Sequence, residues 1–272
     1  MGGLKYPILL VHGMGFHDHR IFNYWGRIPR KLEAQGNRIF YGKQDSHGSA
    51  ESNGRFLYGR LQEILEETGA EKVNIIAHSK GGLDCRWMIS HLDQGAHVAS
   101  LTTVATPHHG SHTVDVLLRF PDPAVRAAAF ICDCWYRLMG DRAPDSFQVF
   151  HDLTTERMEM FNRQTPDADG VYYQSYAFVM KHIWSDLLMA VPCMVVRMLE
   201  GASDGLVTSG SAVWGAFQGI YTGSGHQGVS HCDEVDRRRR KLFVEKCGEP
   251  GTRTDIAEFY CGIAERLRER GY

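Results

Sequence analysis

The sequence predicts an α/β fold, a mainly parallel central sheet with helices on both faces. Three observations carry this. Short apolar runs alternate with amphipathic stretches of helical spacing along most of the chain, the rhythm of strand–helix–strand crossovers. Three of the runs end in glycine- or hydroxyl-rich segments, at residues 12–15 (HGMG), 78–82 (HSKGG) and 106–111 (TPHHGS), and in such sheets reactive groups gather beyond the carboxyl ends of strands. One of these segments, VNIIAHSKGGL, reads as strand, tight turn and helix with Ser79 at the apex.

Taken in order, residues 6–11 (YPILLV) read as a buried strand whose following glycines let the backbone approach a ligand oxygen. Residues 22–35 have helical spacing through Trp25, Ile28 and Leu32, with Gly36 as the stop. Residues 37–41 are a second strand. Residues 54–68 are amphipathic, with Phe56, Leu57, Leu61, Ile64 and Leu65 on one side and Gly69 as the cap. The strand at 73–76, the turn and its helix follow, then a strand at 98–105.

The rhythm breaks after Thr113. Residues 124–139 are apolar around much of a helical circumference, so the stretch from about 112 to 150 reads as a helical insertion covering an apolar cleft, a lid. Alternation resumes with a helix at 153–163 and a strand at 172–179. A second small insertion falls at about 180–192, and a further strand at 194–199 leads directly to GASDGLV. A short strand near 219–221, a turn-rich stretch at 223–228 and a terminal amphipathic helix at 255–270 complete a single domain over residues 1–272.

Composition bounds the function. With 30 basic and 32 acidic residues the formal charge is −2, which gives no reason to expect a nucleic-acid partner. The run of arginines at 237–240 followed by Lys241 reads as a solvated helix face. No apolar stretch is long enough to span a bilayer. The N-terminus enters a strand too soon for a secretory leader, and seven cysteines, an odd number, read as free thiols. The chain is therefore expected to be cytoplasmic as it stands, or secreted with its signal peptide absent.

Ser79 sits in the pattern A-x-S-x-G, the nucleophile elbow with alanine in the first glycine position. Small residues two before and two after the serine suit a strained turn, and the helix opening at Gly81 points its amides at the serine. A hydroxyl needs a base at neutral pH, and the base needs an acid to orient it. In this type of fold the order along the chain is serine, acid, histidine. Asp204, beside Gly205 beyond a late strand, and His231, in the last long loop, satisfy that order. Among fourteen histidines, His78 is expected to pack beside the elbow and His12 to bond within its own loop, while His108 and His109 precede the acid. The oxyanion donors are expected to be the backbone N–H groups of Met14 and Lys80, with the Lys80 ammonium in solvent or at a gate.

With these residues placed, the chain resembles the bacterial true lipases, triacylglycerol lipases of the α/β-hydrolase superfamily. The resemblance rests on PILLVHGMG, NIIAHSKGGLDCRW, TTVATPHHGS, LTTERMEMFN followed by VYYQSYA, SDGLV and SHCDEV, in that order. It implies an α/β-hydrolase fold with a mobile lid, assigns Ser79, Asp204 and His231 to the triad, and gives Met14 and Lys80 the oxyanion hole. It also implies a structural calcium supporting the histidine loop, with Asp233 on one ligand position and Asp186 as the second carboxylate. No cofactor is required for the chemistry itself. The sequence departs from the family in placing Lys80 where glutamine is usual, in lacking the insertion of the zinc-containing branch, and in showing no signal peptide. The expected activity is that of a serine carboxylic ester hydrolase on apolar ester or lipid substrates, with acyl transfer or thioester hydrolysis on the same triad as the alternative. A binding module that kept the fold and lost the chemistry is the remaining possibility.

Overall fold

Four apolar residues, Ile8–Val11, form strand β1, and all four are buried. In the computed structural model, which describes residues 2–15, 17–18, 23–187, 189–226, 228–249, 251 and 253–272, β1 pairs in parallel with β2 (Ile39–Tyr41) and β3 (Val73–His78). Strands β4 (Val98–Val104), β5 (Tyr172–Val179) and β6 (Ala216–Gly223) continue in parallel. Strands β7 (Phe243–Lys246) and β8 (Thr254–Asp255) extend the edge antiparallel. The sheet runs β2-β1-β3-β4-β5-β6-β7-β8, the mainly parallel arrangement that the alternation predicts.

Side chains alternate between the two faces of each strand, and each face is covered by its own helices. Ile8, Leu10, Ile76 and Tyr176 pack with α1 (Ile28–Ala34) and with Tyr260, Ile263 and Leu267 of the terminal helix, α9 (Ile256–Glu269). Leu9, Val11, Ile75 and Ala77 pack with Leu57, Leu61 and Ile64 of α2 (Ala50–Thr68) and with Met88 and Ile89 of α3 (Gly81–His91). Helix α2 begins earlier than its apolar stripe because the Ser49 hydroxyl accepts the Ser52 N–H, and it stops at Gly69 in the left-handed conformation.

The expected insertion at 112–150 is three helices, α4 (His112–Leu117), α5 (Asp122–Met139) and α6 (Ser146–Asp152). Helix α7 (Thr155–Gln164), capped by the Thr154 hydroxyl, returns the chain to the sheet. The second insertion leaves β5 through a 3₁₀ turn at Ile183–Ser185 and α8 (Ala190–Leu199).

Here the expected strand at 194–199 is wrong. Pro192 suits the first turn of a helix, and Ala190, Cys193 and Val196 recur at a three-residue spacing that buries one helical face, leaving Val191, Met194 and Met198 outside. The apolar run imitates a strand because both faces of α8 carry apolar side chains. The helix at 22–35 is also shorter than its periodicity suggests, forming at Ile28–Ala34 with Pro29 in its first turn; Phe22 lies outside the described residues, as do Leu188 and Gln227 of two other expected segments. The arginine run at 237–240 is turn and loop, not a helix face. Among the described residues no helix is long and apolar enough to cross a membrane.

Candidate active site

The serine turn is built by close packing around small residues. Ser79 has φ +53°, the left-handed region that a residue with a side chain occupies at a cost. Its N–H donates to the Val104 carbonyl at 2.9 Å, and its own carbonyl accepts the Thr106 hydroxyl at 2.7 Å, so β4 and its following loop hold the strained residue from both sides. A Cβ on Gly81 would lie 2.3 Å from the His12 carbonyl oxygen, and one on Gly13 would lie 2.6 Å from Ser79 Cβ. Glycine at both positions lets the loop after β1 lie directly against the turn.

Two other loops complete the arrangement. Asp204 does not follow a strand of its own, contrary to expectation. The second insertion leaves β5 and comes back to it, where the Met180 N–H donates to the Ser203 carbonyl at 2.8 Å and sets Asp204 beyond the end of β5. The buried Asp204 carboxylate accepts the Leu206 and Val207 N–H groups on Oδ1, both at 2.8 Å, and its Oδ2 lies 2.8 Å from His231 Nδ1. His231 Nε2 lies 2.9 Å from Ser79 Oγ. The His231 backbone N–H donates to the Asp204 carbonyl at 2.9 Å, which joins the acid loop to the histidine loop independently of their side chains. With Nδ1–H directed at the carboxylate, Nε2 is the acceptor that faces the serine hydroxyl.

Of the residues expected to form the oxyanion hole, Met14 follows Gly13 in the loop against the serine, and Lys80 is the N-cap of α3. The Lys80 side chain is not in solvent. It is buried, with Nζ 2.6 Å from Asp84, whose carboxylate also accepts the Asn53 amide at 2.8 Å. One helical turn separates Lys80 and Asp84, so the ion pair forms across the first turn of α3. His12 bonds within its loop, Nδ1 lying 2.8 Å from the Gly13 carbonyl oxygen. His108, fully buried, lies 3.0 Å from the Thr103 hydroxyl and 3.3 Å from Arg86, and His109 reaches the Val213 carbonyl; neither joins the serine.

The sequence reading missed a second buried chain behind the first. The Gly13 N–H donates to the Tyr24 hydroxyl at 3.1 Å, the hydroxyl lies 2.6 Å from His78 Nδ1, and His78 Nε2 lies 2.9 Å from Glu234 Oε2. Glu234 is completely buried and 4.0 Å from His231 Nδ1. Its carboxyl is pushed well above the usual carboxylate range, first by burial and then by the Asp204 carboxylate beside it. His78 is pushed the other way, well below the ordinary histidine range, by burial and by His231. Both shifts favour the uncharged forms. His78 does pack beside the turn, as expected, but it also bridges the loop after β1 to the acid. The one sequence signal for Glu234 is its place three residues after His231, which a loop without assigned geometry leaves uninterpreted.

A cavity of about 220 Å³ lies over His231, lined by Met14, Gly15, Tyr136, Met189 and Leu206 among others. Tyr136 belongs to α5 and stacks on His47 at 3.7 Å; Met189 precedes α8. Both insertions thus border the same space. A second cavity, of about 280 Å³, lies between Lys80, Trp87, Gln148 and Phe161, and none of Ser79, Asp204 and His231 lines it.

The carboxylates expected to hold calcium, Asp186 and Asp233, are brought together beside the histidine loop, but a guanidinium joins them. Arg238 Nη2 lies 2.6 Å from Asp186 and Nη1 lies 3.5 Å from Asp233. The second Asp186 oxygen accepts the Ser230 hydroxyl at 2.7 Å. Calcium takes six to eight oxygen ligands (roughly) in an open cage, and the residues present do not fit that ion.

A parallel sheet with a strained serine after its third strand, an acid and a histidine on late loops, and amides at the head of α3 define an α/β-hydrolase. Residues 7–165 match the family model described as palmitoyl protein thioesterase, a match that includes the serine turn and ends before the acid and the histidine. A triacylglycerol lipase of Vibrio cholerae is 35% identical over 98% of this chain and 89% of its own. Triacylglycerol lipase 2 of Saccharomyces cerevisiae is 28% identical over 92% of this chain and 74% of its own. The crystal structure of a mature Bacillus licheniformis lipase superposes with a TM-score of 0.64 at 22% identity, covering 86% of this chain and 88% of that one. The chain belongs to the triacylglycerol lipase family of the α/β-hydrolases.

Proposed function

We propose that the protein is a serine carboxylic ester hydrolase, a lipase or esterase, that cleaves apolar acyl esters through an acyl-enzyme on Ser79. The observation that carries the reading is the unbroken chain from Ser79 Oγ through His231 to Asp204, at 2.9 and 2.8 Å, with the serine on a strained turn. Ser79 attacks the ester carbonyl while His231 Nε2 takes its proton, and Asp204 holds the imidazole in the required tautomer and offsets its charge. The Met14 and Lys80 amides receive the oxyanion. His231 then gives the proton to the leaving alcohol, and a water deprotonated by the same nitrogen releases the acid.

The substrate is expected to be an ester of a medium or long acyl chain. The cavity over His231 is largely apolar, and α5 carries Phe130, Ile131, Trp135 and Leu138 on its outer side, each more than half exposed. Trp184 and Leu187 of the second insertion are more than three-quarters exposed. This apolar rim suits contact with a lipid surface, and α4 to α6 act as the lid over the cleft. The family match to palmitoyl protein thioesterase supports a second reading, thioester hydrolysis, since the acyl-enzyme is the same whichever leaving group departs. The test is hydrolysis of p-nitrophenyl esters from acetyl to palmitoyl, with the matching acyl thioesters in parallel. Ester turnover rising with acyl length and falling by roughly five orders of magnitude or more in Ser79→Ala is expected. Equal rates in wild type and Ser79→Ala refute the reading, and turnover confined to thioesters replaces it with the second.

A further inference from the structure

Beside the histidine loop two nearly buried carboxylates, Asp186 at 2% and Asp233 at 5% exposure, share one cationic head group. Asp186 comes from the second insertion, just past its 3₁₀ turn, and Asp233 from the loop two residues after His231. Arg238 reaches both, 2.6 Å from the first and 3.5 Å from the second. The Ser230 hydroxyl donates to the second oxygen of Asp186 at 2.7 Å, and the Asp233 N–H closes back on Ser230, to its carbonyl at 2.8 Å and its hydroxyl at 3.3 Å. His231 lies inside this closed turn, so whatever holds the two carboxylates together fixes the backbone that presents the imidazole.

Two carboxylates drawn out of water side by side repel unless a cation lies between them. A planar guanidinium can meet two carboxylates at once through separate nitrogens, which a lysine ammonium on a single nitrogen does less well. We infer that Arg238 is the resident cation of this loop: its guanidinium takes the position in which a divalent ion would otherwise bind Asp186 and Asp233, and it makes the histidine loop independent of metal. Arg238 is thus a positioning residue, acting on His231 through the turn from Ser230 to Asp233. It also gives a use to one member of the arginine run at 237–240.

The experiment is thermal unfolding of the full chain, dialysed free of metal, in EGTA and in millimolar calcium chloride, together with calorimetric titration of calcium. Wild type is expected to unfold at the same temperature in both and to take up no calcium. Arg238→Ala is expected to unfold roughly 4–8 °C lower in EGTA, to bind calcium with saturable heat, and to recover most of the loss in calcium. Arg238→Lys, which keeps the charge without the fork, is expected between the two and serves if Arg238→Ala does not fold. The inference is overturned if EGTA lowers the wild-type midpoint, if wild type binds calcium, if Arg238→Ala unfolds with wild type, or if calcium leaves Arg238→Ala unchanged. None of these readings uses ester hydrolysis, so the inference and the proposed activity fail separately.

Discussion

Replacing Glu234 by glutamine is expected to make the protein more stable, increasingly so as the pH rises. Glu234 is fully buried, 2.9 Å from His78 Nε2 and beside the Asp204 carboxylate, and its carboxyl is held well above the ordinary range by burial and by that neighbour. The sign follows from proton counts. Once the pH passes the ordinary carboxyl range the unfolded chain has lost this proton while the folded protein keeps it, so the folded state binds more protons and stability falls with pH. Each pH unit in that window costs about 1.4 kcal/mol, or roughly 3–5 °C of unfolding midpoint for a domain of this size. Glutamine has nearly the shape of the neutral acid, can still accept from His78, and has no proton to lose. Other titrating groups contribute alike to both proteins, so the difference isolates Glu234. The assay is the unfolding midpoint of wild type and Glu234→Gln from pH 5 to pH 8, and the difference between them should widen as the pH rises above the ordinary carboxyl range. Parallel curves would refute a raised Glu234 carboxyl in the folded protein.

Two substitutions test the geometry around the serine. Gly13→Ala would place a Cβ 2.6 Å from Ser79 Cβ and 3.1 Å from the Tyr24 hydroxyl; about 1–3 kcal/mol of stability and roughly 100-fold in kcat should be lost, and wild-type kcat in a folded variant would show that the loop after β1 has room to move. Asp204→Asn keeps an oxygen for the Leu206 and Val207 amides but turns the wrong group toward His231 Nδ1; kcat should fall by roughly 10⁴-fold while the midpoint shifts little, and a loss under tenfold would remove Asp204 from its role.

Much of this arrangement was legible in the sequence because its parts are local. The serine turn announces itself through Ala77 and Gly81 around Ser79, and the parallel sheet through apolar runs spaced by helices. The order serine, aspartate, histidine was enough to choose Asp204 and His231. What stayed hidden depends on distant segments meeting. Residues 194–199 look like a strand because α8 is apolar on its inner and outer faces alike, and only tertiary packing separates the two. Strands β7 and β8 are short, antiparallel and at the edge, where alternation is too brief to read. Lys80 looks like a surface lysine until Asp84 and Asn53 are seen to enclose it, and the arginine run looks solvated until Asp186, some fifty residues earlier in the chain, reaches Arg238.

The two buried chains also explain why the site needs so many polar residues out of water. The first, Ser79 to His231 to Asp204, holds the groups to which the proposed mechanism assigns proton exchange. The second, Gly13 to Tyr24 to His78 to Glu234, runs behind it and ends against Asp204. Its first member immediately precedes Met14, and its last is on the loop of His231, so those two loops are joined through the protein interior. An apolar contact could hold those loops at the same separation but not at a fixed rotation, whereas hydrogen bonds of defined direction fix both. Burial pushes both His78 and Glu234 toward their uncharged forms, which lowers the cost of keeping them out of water. In the proposed mechanism, orientation of the attacking serine, the base and the oxyanion donors is thereby set before any substrate enters, the condition under which electrostatic stabilisation of a transition state costs no reorganisation.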